Sequence, residues 1–312
     1  FSPDDTDLYL ADKFLNITPK IEEYLRKKIE RVYSDEARTG IFEEDNPFLE
    51  LISDDLLETS VAVANRWKEE FVVSENQKTN DLVFIQFSKE GVDHFAFLRI
   101  ALRETLTHLG GEVDNPIKLT QNNLPGFGTG ADEALVINLQ SRKYHLIEKR
   151  IKYNGTFLNY FSENLLQAQP KISPKKSIKA LEKTAQKIAE SFNTDDFQFQ
   201  SKVKSAIFNH IEEENKLSPE KLADDLFDDN LTARLSFIDQ VKEAVPEPVT
   251  FEEIDASRQL KKFENQKLSL SNGIELIVPN NVYEDAESVE FILNENGTYS
   301  ILIKNIEDIQ SK

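Results

Sequence analysis

The sequence predicts an α+β fold: an N-terminal antiparallel sheet with flanking helices, then a helical segment and C-terminal β-hairpins. Three observations carry that prediction. Four apolar, β-rich runs fall between residues 82 and 153, and short polar turns join them in pairs. Apolar residues recur at helical spacing on both sides of that stretch, behind capping residues. Near the C-terminus two Asn-Gly pairs separate alternating runs, the strongest short-range hairpin signal.

Thr18 and Pro19 open the first helix, because a Thr hydroxyl accepts an orphan amide and Pro tolerates the first helical position. Ile21, Tyr24, Leu25, Ile29 and Val32 give that helix one buried face, with Lys20, Arg26, Lys27, Lys28 and Arg31 mostly off it. A second helix is expected over about 47–71, with Leu51, Leu56, Leu57, Val61, Ala64 and Trp67 as its apolar set. The runs 82–87 and 94–102 flank a turn at Lys89-Glu90-Gly91, and the runs 134–139 and 144–153 flank polar residues 140–143. Such short joins favour an antiparallel meander over βαβ units, which need helical crossovers. Residues 122–130 (NNLPGFGTG) are expected to form a flexible Gly-rich loop, and Asn154-Gly155 to turn the chain into a helix over about 156–167.

Pro170 and Pro174 bracket the best boundary, dividing an α+β sheet domain at 1–170 from a helical domain with β-hairpins at 171–312. Ser173-Pro174 is expected to cap a helix over 175–192, and a second helix covers 197–215. Ser218-Pro219 caps a third, ending near Asp228, and a fourth runs over about 231–244 until Pro246 and Pro248 stop it. Runs 267–270 and 274–278 flank Asn272-Gly273, and runs 289–293 and 299–303 flank Asn296-Gly297.

Composition narrows the function. Of 312 residues, 39% are hydrophobic and 30% charged, too apolar for disorder and too charged for a membrane protein. No apolar run approaches the roughly 18 residues of a membrane span, and the polar start FSPDDTD does not read as a signal peptide, so a spanning or secreted protein is not expected. The absence of Cys excludes disulfides, thiolate catalysis and Cys-ligated zinc, and it suits a reducing cytosol. Methionine is absent too, where about half a dozen would be ordinary; a late start and modified methionines lost from the sequence are the expected reason.

The 37 Lys+Arg and 56 Asp+Glu give 37 − 56 = −19, which predicts solubility and, if evenly spread, repulsion from nucleic acid. The charge is not evenly spread. From Arg142 to Glu190, 11 Lys+Arg against 4 Glu make a local +7, so the remainder carries −19 − 7 = −26.

Within that basic stretch, Lys176, Lys179, Lys183 and Lys187 step by three, four and four, away from the apolar stripe Ile178, Leu181, Ala185, Ile188 and Phe192. With Lys175 they can track a phosphate backbone as point charges. Most such stripes are solvated faces, and the pattern alone admits both. The segment RKYHLIEKRIKY adds Arg142, Lys143, Lys149, Arg150 and Lys152, interleaved with Tyr144, His145 and Tyr153. Basic residues among aromatics suit nucleic-acid contact, and they equally suit the outer face of a half-buried strand. These ten cations are the candidate DNA-binding residues.

Other chemistry finds little support. NNLPGFGTG lacks the Gly-Lys-Ser/Thr of a phosphate cradle, and a strand rather than a helix follows it. Asp224-Asp225 and Asp228-Asp229 miss the alternating ligand spacing of a calcium loop and read as exposed acidic patches, as do Glu43-Glu44-Asp45 and Glu252-Glu253. His94, His108, His145 and His210 are widely spread, and no Gly-x-Ser-x-Gly elbow exists. No catalytic, cofactor-binding or metal-binding residues are expected, and no enzyme activity.

Three segments carry a resemblance in order and spacing. They are RVYSDEARTGIFEED, then KYHLIEKRIKYNGTFLNYFSENLL, then FEEIDASRQLKKF with the closing NGIELIVPNNVYEDAESVEFILNENGTYSILIKNI. Together they resemble the bacterial nucleoid-associated protein family, NdpA-like and YejK-like, over nearly the full length. The resemblance implies a cytoplasmic, non-enzymatic protein at the nucleoid that binds DNA with little sequence preference. It carries over neither catalytic nor DNA-contacting residues, so the ten candidates rest on charge alone. The −19 balance departs from a basic DNA coater. It keeps open an alternative, an acidic adaptor that engages partner proteins at the nucleoid with no direct DNA contact. No base-reading module is evident, so direct binding is expected to be backbone-dominated. Neutralising about five phosphates would give a slope of log K against log salt of about −4 to −5.

Overall fold

The computed structural model describes residues 1–3, 6–75, 78–108, 117–153, 155–194, 197–251 and 253–310, with backbone alone at 253–255. The chain divides into two compact units, Phe1–Ser173 and Pro174–Lys312.

In the N-terminal unit Thr18 caps α1 (Pro19–Glu30), its hydroxyl accepting the Ile21 amide at 3.4 Å. Lys28 corrects the expected pattern, since it is 1% exposed and belongs to the inner face of α1. After β1 (Arg38–Ile41), α2 (Leu56–Phe71) begins nine residues later than expected, because Asp55 ends the irregular stretch before it. The Asp55 carboxylate accepts the Leu57 amide at 2.8 Å, which starts the helix there.

The sheet is the expected antiparallel meander with one addition. β2 (Asn80–Lys89), β3 (Val92–Ala101), β6 (Glu133–Asn138) and β7 (Lys143–Ile147) lie in the order β1-β7-β6-β3-β2, with β1 on the edge. Between β3 and β6 the chain leaves the sheet as a two-stranded ribbon, β4 (Arg103–His108) and β5 (Ile117–Asn123). The run 144–153 also departs from expectation. It breaks after β7, and β8 (Ile151–Tyr153) folds back on β9 (Thr156–Leu158). Asn-Gly favours a hairpin turn, and Gly155 takes φ +80°, so a strand rather than a helix follows it. Asn154 itself lies outside the described residues. Only a short π-helical turn, Phe161–Leu165, remains of the expected helix.

Both faces of β3 are covered, which accounts for its unbroken apolar sequence. Phe95 and Phe97 pack with Trp67, Tyr144 and Tyr160 on one side; Ala96, Leu98 and Ile100 pack with Val32 and Val136 on the other. Burying that much aromatic and aliphatic surface is the main force holding the unit, at roughly 25 cal/mol per Å2.

The C-terminal unit has its own core, built by α3 (Pro174–Ser191), α4 (Phe197–Glu214), α5 (Pro219–Leu226), α6 (Leu231–Lys242) and α7 (Glu253–Phe263). Ser218 and Asn230 cap α5 and α6 through their side chains. Ser173 does not act as expected: its buried hydroxyl has no hydrogen-bond partner among the described residues. The short pair β10 (Lys216–Leu217) and β11 (Val249–Thr250) joins the segment between α4 and α5 to the one between α6 and α7. The two Asn-Gly hairpins form as predicted: β12 (Asn265–Ser269) with β13 (Glu275–Pro279), and β14 (Val289–Leu293) with β15 (Tyr299–Ile303). Gly273 and Gly297 take φ +86° and +78°, values that turns of this type require.

Candidate nucleic-acid interface

The ten candidate cations divide five and five between the units. In the C-terminal unit Lys175, Lys176, Lys179, Lys183 and Lys187 are all exposed on α3, while Ile178, Leu181, Ala185 and Ile188 are buried behind them. At about 1.5 Å per residue, the row from Lys176 to Lys187 runs about 16 Å along the helix. Lys187 donates to the Gln240 side chain of α6 at 3.0 Å. Lys176, Lys179 and Lys183 have no ion pair among the described residues.

One carboxylate of the same helix, half-buried Glu182, interacts with this row. Burial pushes the Glu182 carboxyl above its ordinary range, although Lys204 and Lys179 pull it back. Lys204 sits on α4 and was missed by the charge reading, because it lies outside the basic stretch; only the packing of α4 beside α3 brings it close. Glu190, held by Gln186 at 3.2 Å, is the anion at the C-terminal end of the row.

The N-terminal five are more scattered and better matched. Arg142, at φ +59° in the turn between β6 and β7, lies 3.8 Å from Glu44. Lys149 pairs with Asp132 at 2.9 Å, and Lys152 with Glu75 at 2.6 Å. Arg150 donates to the Phe157 carbonyl at 2.7 Å, and Lys143 is exposed at the start of β7. The aromatics between them face protein. Tyr144 is 1% exposed, the His145 ring lies 4.7 Å from Tyr33, and Tyr153 donates to Glu70 at 3.3 Å.

Three of the acidic residues, Asp224, Asp225 and Asp228, take separate side-chain partners. Asp224 pairs with Arg234 at 3.1 Å, Asp225 with His210 at 2.6 Å and Asp228 with Lys202 at 3.1 Å. Among the described residues no group of three or more His, Asp or Glu could hold a metal ion. The Gly-rich loop, expected to be flexible, is hydrogen-bonded to α1. The Lys28 ammonium donates to the Gly126 carbonyl at 2.9 Å and to that of Thr129, and Tyr24 donates to the Pro125 carbonyl at 2.9 Å. The Phe127 ring meets Tyr24 edge-on at 5.3 Å. The loop therefore turns carbonyls, not amides, toward the interior, which suits a cation from α1 and not a phosphate.

Residues 2–309 match the family model of nucleoid-associated protein YejK. The chain belongs to this family. No curated protein matches it. For this YejK-family member, the fold thus belongs to a protein of the nucleoid. No helix among the described residues is long and apolar enough to cross a membrane. Both units of this family member are acidic, at 20 − 29 = −9 for residues 1–173 and 17 − 27 = −10 for residues 174–312. The α3 row is therefore a local cationic surface on an anionic unit.

Proposed function

We propose that this YejK-family protein binds DNA directly through the phosphate backbone, with little sequence preference, and that the lysine face of α3 is its principal contact. Arg142, Lys143, Lys149, Arg150 and Lys152 contribute less, because three of them would have to exchange a carboxylate for a phosphate. The single observation that carries this reading is the row Lys176, Lys179 and Lys183, exposed and without ion pairs among the described residues. Neutralising a phosphate there breaks nothing already formed and releases DNA counterions. The acidic remainder of the unit opposes approach at low salt, but charges beyond about 8 Å are largely screened at physiological ionic strength. Lysines are flexible point charges that carry no base-reading geometry, so low sequence preference follows.

The test is a salt titration of duplex binding. Changing Lys176, Lys179 and Lys183 together to Glu should flatten the slope of log K against log salt by about 2.7, at about 0.9 per phosphate contact. An unchanged slope would defeat direct binding through α3. If partner proteins were then retained from nuclease-treated lysate, the adaptor reading would take its place.

A further inference from the structure

At the root of the β4–β5 ribbon the ladder loses step. Arg103 pairs with Asn123 and Thr105 with Thr120, so Glu104 faces two residues, Gln121 and Asn122, where regular pairing offers one. Asn122 takes φ +58°, a left-handed conformation that Asn tolerates better than most residues. A bulge of this kind bends its strand and re-aims the side chains beside it. Here Arg103, Gln121 and Asn122 line an open cleft of about 720 Å3, together with Lys78, Asp132 and Lys149.

The anions of this cleft are already engaged. Asp132 accepts from the Lys149 ammonium at 2.9 Å and from the Ala101 amide at 3.0 Å. Glu104 accepts from the Gln121 side-chain amide at 3.0 Å. Lys78 and Arg103 are exposed and have no ion pair among the described residues. A buried neighbour senses the resulting field: burial first, then Arg31 and Arg103, hold the Lys28 ammonium below its ordinary range.

We infer that this cleft is a second phosphate contact, on the N-terminal unit, in which the Arg103 guanidinium and the Lys78 ammonium take backbone phosphates of DNA. The inference rests on the proposed DNA binding but on none of the α3 residues. The guanidinium offers a planar fork that fits two phosphate oxygens, and the exposed Asn122 amide adds a neutral donor on the same wall. Neither Lys78 nor Arg103 lies in the basic stretch 142–190, so local charge density gave no signal for them; the bulge assembles the site.

The experiment compares five forms of the protein in salt titrations against one duplex: wild type, Lys78→Glu with Arg103→Glu, Lys78→Gln with Arg103→Gln, the α3 triple variant, and a control with Lys13→Glu and Lys20→Glu. The control makes the same change in net charge on exposed residues of the same unit. The cleft variant should flatten the slope by about 1.8 relative to the control, so that its affinity falls about 10-fold less than that of wild type between 50 and 200 mM salt. Lys78→Gln with Arg103→Gln should flatten it equally, which separates lost contact from added repulsion. A cleft variant that follows the control overturns the inference and leaves the α3 reading standing. An effect in the cleft variant without one in the α3 variant does the reverse, and a wild-type protein that does not bind the duplex overturns both.

Discussion

Arg99 is a cation placed where charge is expensive, 6% exposed on β3 and opposite Glu133, which is 0% exposed. Its Nε donates to Glu133 at 2.7 Å and another guanidinium nitrogen to Asn80 at 2.8 Å. Tyr160 donates to the same carboxylate oxygen, and the Trp67 indole donates to Tyr160 at 3.0 Å. Burial and the adjacent Glu133 push the Tyr160 phenol well above its ordinary range. Removing one partner strands the other, so Arg99→Met should lower the unfolding free energy by about 3–5 kcal/mol in urea denaturation. Adding Glu133→Leu to that variant should recover much of the loss. Tyr144 gives a pH signature. Burial raises its phenol from the ordinary 10 to about 12, so the folded state holds the proton more tightly than the unfolded one. Its contribution is complete below pH 10 and is lost as pH rises toward 12, to the extent of about 2–3 kcal/mol. The decline in stability over that interval should be shallower for Tyr144→Phe when urea midpoints are compared across pH.

At the scale of elements, the parts written in local chemistry were legible. Thr18-Pro19 marks the start of α1, the two Asn-Gly pairs mark both C-terminal hairpins, and the short polar joins mark the meander. What escaped was decided at a distance. The ribbon β4–β5 carries only a short apolar alternation, Ile117 and Leu119, and most of its side chains face solvent, with Leu106 74% exposed and Ile117 68% exposed. α7 is too polar to stand out and becomes a helix by packing Ala256 and Gln259 inward against α4. Segment 156–158 was lost to the helix expectation because hairpin pairing with β8 overrides a weak local preference. For the candidate interface, the α3 row followed directly from helical spacing. Lys204, Lys78 and Arg103 did not, since helix packing and a bulge place them and neither leaves a mark in charge density along the chain.

The whole molecule is anionic in both units, at −9 and −10, and self-repulsion works against its compact state. Raising ionic strength from about 0.01 to 0.15 M shortens the screening length from about 30 to 8 Å. The exposed ion pairs weakened by that change are worth less than about 1 kcal/mol each. The urea midpoint should therefore rise with salt over this interval, while duplex affinity falls; a midpoint that drops would show the ion pairs prevailing over the repulsion. The Gly-rich stretch at 122–130 belongs to this larger scale as well, because the residue that shapes it stands about a hundred positions upstream. A methyl group added at Gly126 or Gly128 would meet nothing within 4 Å. Those glycines therefore tolerate an added side chain, whereas shortening Lys28 would strand the Gly126 and Thr129 carbonyls that its ammonium now holds.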